Sequence, residues 1–296
     1  MQSFDERVTN SFAEMRPAEQ RVAKFFQENR EEVLIGSAAA LALKAKTSDA
    51  TIMRTTRALG FAGLDDMRRA LASELRGSLS PAARLTNTLG KVGRDPSAAF
   101  DTMLEVHLQS LESLRRTISA ELFDKAVAGI IGAKRILVFG LGPSSAIANY
   151  FVIQLARFGF DAAGLANTGL LFADDLQRVR KGDLVVILAY SRVYQELAVL
   201  VDEVQRRNAR SLLLTDTLAA KLRERVDLVL TVARGQADML STHTATLGLL
   251  EALLVGVASR RPAETLASLE NLNESRRKLA GKAVKLSTAT ARTSGS

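Results

Sequence analysis

The sequence predicts an α/β protein overall, in which an all-helical domain is followed by a doubly wound domain with a parallel sheet. Three observations predict this arrangement. Apolar residues recur at helical spacing over residues 4–75, a stretch rich in glycine, proline and small polar residues follows at 77–97, and from residue 123 short apolar runs alternate with helical patterns. The length of 296 residues suits two hydrophobic cores better than one.

The composition excludes several classes of protein. A hydrophobic content of 47% and a charged content of 24% are ordinary for globular chains, so long disordered or fibrous regions are not expected. The absence of cysteine rules out disulfides and thiolate metal sites. The two histidines, His107 and His243, lie far apart in the sequence, so we expect no metal site.

No segment of the sequence resembles a secretion signal, and no apolar run is long enough to span a bilayer. The most apolar stretch, 247–257, has about half the length that a membrane helix requires. We therefore expect a buried helix there, no membrane partner, and a cytoplasmic protein.

The net charge of +8 is unevenly distributed. Residues 1–76 carry a net charge of +1, residues 77–259 of +2, and residues 260–296 of +5. Any argument for nucleic-acid binding therefore depends on a local cluster of cations and not on the overall charge.

The N-terminal region, 1–76, is predicted to be entirely helical. Apolar residues at helical spacing predict two helices over 4–35, the second starting at Pro17. A further amphipathic helix is predicted over 64–75, with Arg68 and Arg69 pointing outward.

Between these elements, two short helical patterns meet at a tight turn. The first covers 38–45, and the second starts at Ser48, which is a good N-cap residue. In the second helix, one side carries apolar residues and threonines that are suited to packing, and the opposite side carries Arg54 and Arg57. The pattern fits either a helix-turn-helix that binds duplex DNA or an ordinary helical hairpin with a solvated basic face. The candidate DNA-binding residues are Lys46, Ser48, Thr51, Arg54 and Arg57.

The segments Pro17-Ala18-Glu19-Gln20-Arg21-Val22-Ala23, Ser48-Asp49-Ala50-Thr51 and Arg57-Ala58-Leu59-Gly60-Phe61 give residues 15–75 a clear resemblance. They resemble the N-terminal domain of the RpiR (MurR/RpiR) family of bacterial transcriptional regulators. The resemblance implies that this domain binds double-stranded DNA. The sequence departs from the family at Lys46, where a turn glycine is usual, so we expect a lysine with positive φ there.

Residues 77–97 are predicted to be an aperiodic linker at the domain boundary. A helix is predicted over 98–118, with a stripe of leucines, Leu104, Leu108 and Leu111, near heptad spacing. The stripe could pack on its own domain or on a second subunit, and a homodimer or dimer of dimers is expected because two-fold symmetry doubles a DNA site.

From residue 123 the chain alternates between helices and apolar runs. Runs that are apolar throughout indicate parallel strands covered on both faces. Strands are predicted over 135–139, 161–166, 183–188, 211–214 and 227–232. Helices are predicted over 145–158, 194–208 and 218–225, with a closing helix over 244–258. The tail, 262–296, is predicted to be helical over 264–279 and then a disordered basic segment.

Ligands of doubly wound sheets bind beyond the carboxyl ends of the strands, and two loops stand out there. The first contains Gly140, Gly142, Ser144 and Ser145. A dinucleotide-binding loop would need glycine in place of Ser145, so NAD binding is disfavoured and no cofactor is expected. Glycines followed by serines at a helix start instead suit a phosphate or a sugar hydroxyl.

The second loop contains Ser191, Arg192, Tyr194 and Glu196. With the first loop, it resembles the signature loops of the SIS (sugar isomerase) domain, the C-terminal half of RpiR regulators, over residues 98–261. The resemblance implies a small anionic ligand, most simply a sugar phosphate. The sequence departs from the family here, with Ala189, Arg192 and Tyr194 where serine, glycine and threonine are usual. This leaves three alternatives: Arg192 could bind the phosphate instead, the ligand class could have changed, or the pocket could be vestigial.

Three functions remain open from the sequence. The first is a transcriptional regulator that senses an anionic metabolite, and the second is a phosphosugar isomerase with an accessory helical domain. The third is an interaction module with a dead pocket. An isomerase needs a base, and Glu196 and His243 are the candidates for it, although His243 could also be a polar residue at a helix start. If the protein is not an isomerase, the sequence predicts a ligand site without catalytic residues.

Overall fold

The computed structural model describes residues 4–280, which form an N-terminal helical domain and a five-stranded parallel sheet with helices on both faces. This confirms the predicted fold class. The helices of the N-terminal domain are α1 (Phe4–Ser11), α2 (Pro17–Glu28), α3 (Arg30–Ile35), α4 (Ala38–Lys44), α5 (Asp49–Ala58) and α6 (Leu64–Ser78).

The N-terminal helices enclose one apolar core, to which α1, α2, α5 and α6 contribute fully buried side chains such as Phe4, Phe26, Ile52 and Met67. The prediction of one helix from Pro17 to residue 35 is wrong. Asn29 takes a non-helical conformation (φ −123°, ψ 46°) that separates α2 from α3. The expectation that Arg68 points outward is also wrong, because its Nε atom donates to the carbonyl oxygen of Val33 at 2.9 Å.

The segment between the two domains is mostly helical, which contradicts the prediction of an aperiodic linker over 77–97. It contains α7 (Pro81–Val92), and α8 (Pro96–Thr117) follows after a short break. Ser80 caps α7 by accepting a hydrogen bond from the Ala83 amide at 3.1 Å, and Asp95 caps α8 in the same way through the Ser97 amide. We call α7 the connector helix, since it joins the two domains.

The sheet has the strand order β2-β1-β3-β4-β5, and all neighbouring strands are parallel. Its strands are β1 (Arg135–Gly140), β2 (Ala162–Leu165), β3 (Asp183–Leu188), β4 (Arg210–Thr215) and β5 (Leu228–Thr231). All five predicted strands are therefore confirmed within about two residues. The order reverses between β1 and β3, which is where doubly wound sheets bind ligands.

Both faces of the sheet are buried, because each central strand sends alternate side chains into two separate cores. In β1, Ile136 and Val138 enter one core, whereas Leu137 and Phe139 enter the other. This explains why the strands are apolar throughout instead of alternating with polar residues. The helices that cover the sheet are α9 (Ala120–Ile131), α10 (Pro143–Arg157), α11 (Phe172–Leu176), α12 (Gln195–Arg206), α13 (Ala219–Leu222) and α14 (Thr244–Arg260).

Helix α14 buries Leu249, Leu250, Leu253 and Leu254 against the sheet, as predicted for the most apolar stretch of the sequence. No helix in residues 4–280 has both the length and the apolar character needed to cross a membrane. The final helix, α15 (Pro262–Ala280), confirms the predicted helix in the tail. The predicted disordered segment after it lies outside the described residues.

Candidate functional site

The turn between α4 and α5 places a cationic helix on the surface. Lys46 adopts φ +50°, as expected for the residue that replaces the usual glycine. The Thr47 amide then donates to the Ala42 carbonyl at 2.9 Å, which closes the end of α4. Ser48 begins α5 by accepting a hydrogen bond from the Thr51 amide at 3.3 Å. The two helices therefore meet in the tight geometry of a helix-turn-helix.

Helix α5 has a buried face and an exposed face, as its sequence predicts. Ile52, Thr55 and Thr56 are fully buried. The two buried hydroxyl groups donate to backbone carbonyls one turn earlier, at 2.9 Å, so their burial leaves no donor unsatisfied. Arg54 and Arg57 are exposed on the other side. We call the exposed residues Lys46, Ser48, Arg54 and Arg57 the DNA face.

Thr51 does not belong to the DNA face, although the sequence predicted it as a contact. Its side chain is 5% exposed, and its hydroxyl lies 3.0 Å from the Ser48 hydroxyl. It also accepts a hydrogen bond from Arg54 at 3.2 Å. Thr51 is therefore placed to orient Arg54, and little of its surface is available to a base edge.

The second site is a cavity of about 720 Å³ at the switch point of the sheet, beyond the carboxyl ends of β1 and β3. Four segments that are distant in the sequence form its walls. They are the start of the connector helix (79–84), the first loop (141–144), the second loop with the start of α12 (188–197), and residues 234–241 before α14.

The first loop contributes Gly142 and Ser144 to the cavity, and its remaining predicted residues have other roles. Gly142 has φ +55° and precedes α10. Gly140 does not line the cavity; a Cβ atom there would lie 2.6 Å from the Ser144 carbonyl oxygen, so glycine is required for the chain to turn. The side chain of Ser145 is exposed outside the cavity and donates to the Gly142 carbonyl at 2.7 Å.

Two amides at the start of α10 donate to carbonyl groups within the first loop. The Ser144 amide donates to the Leu141 carbonyl at 3.2 Å, and the Ser145 amide donates to the Gly142 carbonyl at 2.9 Å. Pro143 has no amide hydrogen. Ser144, which is 6% exposed, lines the cavity, and its hydroxyl can donate to a ligand.

The second loop is a tight turn that Asp216 holds in place. Ser191 has φ +62°, and the Arg192 amide donates to the Tyr190 carbonyl at 2.6 Å, which makes a three-residue γ-turn. The Ser191 amide donates to Asp216 at 3.0 Å. This amide is therefore engaged within the protein and not directed at the cavity.

Of the other predicted residues in the second loop, Arg192 and Tyr194 line the cavity and Glu196 does not. The Glu196 carboxylate accepts a hydrogen bond from the Gly169 amide at 3.2 Å, on the far side of the α12 start. The expectation that Glu196 contacts a ligand is therefore not supported. Tyr194 is the N-cap residue of α12, as predicted from the position of that helix.

His243 lies behind the cavity wall and not in it. Its Nε2 atom is 2.9 Å from a guanidinium nitrogen of Arg234, and its ring packs edge-on against Tyr190. Burial, assisted by the positive charge of Arg234, lowers the pKa of His243 from 6.5 to about 4. The imidazole is neutral at neutral pH and accepts the Arg234 hydrogen bond, so its role is to orient Arg234.

Arg234 is one of the residues that the sequence did not reveal. Its guanidinium stacks over the Tyr190 ring at 4.6 Å and faces the cavity. Burial also raises the pKa of the Tyr190 hydroxyl, which hydrogen-bonds with Thr246 at 3.0 Å. No local motif marks Arg234, because it reaches the cavity only through the packing of 234–243 against β3 and α14.

Arg84 is the second residue that was missed. It lies on the connector helix, and its Nη1 atom is 2.5 Å from the Ser241 hydroxyl at the cavity wall. The dipeptides Ser80-Pro81 and Asp95-Pro96 are typical of helix starts and could have revealed helices on either side of Gly93. Periodicity alone could not show that α7 packs against the other domain.

Three guanidinium groups thus line the cavity, from Arg84, Arg192 and Arg234. No carboxylate of the described residues lines it, so its electrostatic character favours an anion. Residues 4–280 also contain no group of three or more histidine, aspartate or glutamate side chains that could hold a metal ion.

Comparison with known proteins gives a family match for each of the two parts of the chain. The sequence matches the helix-turn-helix domain of the rpiR family over residues 2–78 and the SIS domain over residues 129–256. The HTH-type transcriptional regulator HexR of Pseudomonas aeruginosa is 28% identical over 280 residues, which are 93% of this chain and 96% of HexR.

Two solved structures have the same fold. NanR of Vibrio vulnificus, described in complex with ManNAc-6P, matches with a TM-score of 0.57 and 22% identity, covering 94% of this chain and 99% of NanR. The sugar isomerase domain of an RpiR transcription factor from Sphaerobacter thermophilus matches with a TM-score of 0.54 and 22% identity, covering 58% of this chain and 96% of that domain. Because both domains are matched in this order and a regulator is matched over nearly its whole length, the chain belongs to the RpiR family of transcriptional regulators.

Proposed function

We propose that this protein is a transcriptional regulator that binds duplex DNA through the DNA face and responds to a small anionic metabolite, most simply a sugar phosphate. The observation that carries the proposal is the pairing of two separate cationic sites in one chain. One is an exposed helix that suits the major groove, and the other is a cavity at the sheet switch point that suits an anion.

The ligand part of the proposal rests on the residues of the cavity. Ser144 can donate to a phosphate or sugar oxygen, and Arg192 and Arg234 can each make charge-assisted hydrogen bonds to a phosphate. A volume of about 720 Å³ is ample for a sugar phosphate. NanR, whose fold is similar, is described in complex with a sugar phosphate, ManNAc-6P.

The same residues argue against an isomerase. Proton abstraction from a sugar needs a base within hydrogen-bond reach of the substrate, with a pKa near the working pH. His243 has a pKa of about 4 and is engaged by Arg234, and Glu196 is turned toward Gly169. The proposed role is therefore to bind the metabolite without changing it.

The proposal is tested by a gel shift with duplex fragments from the region upstream of the protein's own gene. A panel of sugar phosphates, including ManNAc-6P, is added together with the corresponding unphosphorylated sugars. We expect at least one phosphorylated compound to change DNA affinity, and Ser144→Ala to abolish that change while DNA binding persists. If a compound is converted to an isomer during the assay, the enzyme interpretation is correct and ours is wrong.

We also propose that the regulator is at least a homodimer, joined through α8. Phe100, Leu104, Leu108 and Leu111 are exposed apolar residues along this helix, with Phe100 67% and Leu108 52% exposed. A second copy that covered the stripe would remove it from water. Light scattering should give a dimer or larger for the wild type and a smaller species for Leu108→Glu. Leu266→Glu, at an exposed leucine of α15, is the control, and a wild-type monomer with full DNA affinity would overturn the proposal.

A further inference from the structure

The connector helix is fixed to the cavity domain by a row of polar contacts along one side. Beyond Arg84, the Thr88 hydroxyl accepts a hydrogen bond from the Leu240 amide at 2.8 Å. Lys91 forms an ion pair with Asp238 at 2.8 Å. All three partners lie within 238–241, directly before α14. The connector and this segment therefore form one wall of the cavity.

The contacts along the connector differ in their relation to the cavity. Leu79, Ser80, Pro81 and Arg84, in and before its first turn, line the cavity, whereas Thr88 and Lys91 do not. The first turn of the connector is thus a cavity wall, and its last two turns are an anchor.

From this arrangement we infer that Arg84 is a ligand-binding residue, so that the connector itself holds the anion that the cavity domain binds. The inference rests on the proposed function and adds that the connector helix itself contacts the ligand. Arg84 lines the same cavity as Arg192 and Arg234, and one nitrogen of its guanidinium donates to the Ser241 hydroxyl. A planar guanidinium can keep such a contact and still bind an oxyanion.

The consequence concerns how the two domains communicate. Helix α6 of the DNA-binding domain ends at Ser78, and only two residues separate it from Pro81, where the connector starts. An anion bound by Arg84 would therefore favour one position of the segment from which the DNA-binding domain extends. The anion can change DNA affinity only if it binds the protein more tightly in one position of this segment than in another.

The test uses the full chain and inorganic phosphate as the probe, titrated by calorimetry at constant ionic strength. Arg84→Gln removes the charge but retains a donor for Ser241, and Lys91→Gln is the matched control, since it removes an anchor contact outside the cavity. We expect Arg84→Gln to weaken phosphate binding about tenfold, as for the loss of one charge-assisted hydrogen bond, and Lys91→Gln to change it less than twofold.

Hydrogen exchange supplies a readout that a purely structural role of Arg84 would not affect. Phosphate should slow amide exchange in residues 81–92 of the wild type and of Lys91→Gln, but not of Arg84→Gln. The inference is wrong if Arg84→Gln binds phosphate as tightly as the wild type. It is also wrong if Arg84→Gln and Lys91→Gln lose the same amount of phosphate affinity.

Ser144→Ala separates this inference from the proposed function. If Ser144→Ala weakens phosphate binding and Arg84→Gln does not, the cavity is the site and only the role of the connector is wrong. If the wild type does not bind phosphate even at tens of millimolar, where simple anions bind weakly but measurably, the ligand part of the proposed function fails together with the inference.

Discussion

The DNA face and the cavity are both cationic, but they are built in opposite ways. The DNA face comes from residues 46–57, its cations are exposed, and a buried row of threonines lies beneath them. The cavity takes its cations from three segments that are far apart in the sequence. Arg84 contacts the Ser241 hydroxyl and Arg234 stacks on the Tyr190 ring, whereas Arg192 is exposed at the cavity wall. The comparison teaches that similar charge can be presented for two kinds of recognition, one on an open helix surface and one in a concave site.

The difference has a consequence for salt dependence. Exposed cations that contact DNA phosphates displace condensed counterions, so their contribution falls steeply as salt rises. Partly buried cations are screened less by salt. DNA affinity should therefore depend on salt much more strongly than anion affinity does. Substitutions at one site should leave binding at the other site unchanged.

The largest effect is expected for Arg54→Ala combined with Arg57→Ala. Each lost base-edge contact costs about 1–3 kcal/mol, so the pair should lower operator affinity about 100-fold or more and reduce the salt slope by about 2. Fluorescence anisotropy over a range of salt concentrations measures both quantities. Phosphate binding should not change, since neither arginine lines the cavity.

Arg69→Ala is the matched control for this variant. Arg69 is an exposed arginine on α6 that pairs with Asp66 at 3.4 Å, away from the DNA face. Its loss should change DNA affinity by less than about twofold. If Arg69→Ala and the double variant weakened DNA binding equally, the effect would reflect overall charge and not α5.

A smaller effect, on folding stability, is expected for Gly140→Ala. The new Cβ atom would meet the Ser144 carbonyl oxygen at 2.6 Å, a backbone atom that can move only if the start of α10 moves. Overpacking of this kind costs about 1–3 kcal/mol of unfolding free energy. The displaced Ser144 should also weaken anion binding, while the DNA face is unaffected.

Urea denaturation followed by circular dichroism measures this change, and Gly129→Ala provides the control. A Cβ atom at Gly129 meets no atom within 4 Å, and the residue lies inside α9, where alanine is favoured over glycine. Gly129→Ala should therefore keep or raise stability. A Gly140→Ala variant as stable as the wild type would show that the first loop is more tolerant than its geometry implies.

The two regions also differ in how far the sequence could predict them. The DNA face depends on contacts between neighbours in the sequence, so spacing and cap residues were sufficient to place Ser48 at the start of α5 and Arg54 and Arg57 on its exposed side. That Lys46, Ser48, Arg54 and Arg57 contact DNA stays a prediction. Thr51 was misassigned because helical spacing places it at the edge of the buried face, and only its burial shows on which side it lies.

For the sheet, the sequence predicted every strand, because continuous apolar runs between helices have few alternative structures. The cavity was predicted only in part. Gly142, Ser144, Ser191, Arg192 and Tyr194, predicted from topology, line the cavity, and their contact with a ligand stays a prediction. Arg84 and Arg234 reach the cavity through long-range packing, for which a single sequence carries no local signal. The directions of Glu196 and His243 depend on the same packing.

The smallest predicted effect is the pH dependence that His243 gives to the cavity domain. The folded-state pKa is about 4, below the ordinary value of 6.5. Between these two values, the unfolded chain binds a proton that the folded protein refuses, so stability decreases as pH falls from 6.5 toward 4. Above pH 6.5 both states are neutral and the group contributes nothing to the pH dependence.

His243→Gln removes this titration and keeps an acceptor for Arg234. Between pH 7 and pH 4.5, the free energy of unfolding should fall by only about 1 kcal/mol more in the wild type than in His243→Gln, because the ring retains some contact with water. Arg234→Gln should retain most of the effect, since burial is the larger cause of the shift and the charge of Arg234 the smaller. The N-terminal domain contains no histidine, so the difference should appear in the unfolding of the cavity domain. If the stability of the wild type and of His243→Gln depends on pH in the same way, the imidazole is more exposed in solution than its packing against Tyr190 indicates. Arg234 would then lack the neutral acceptor that orients it.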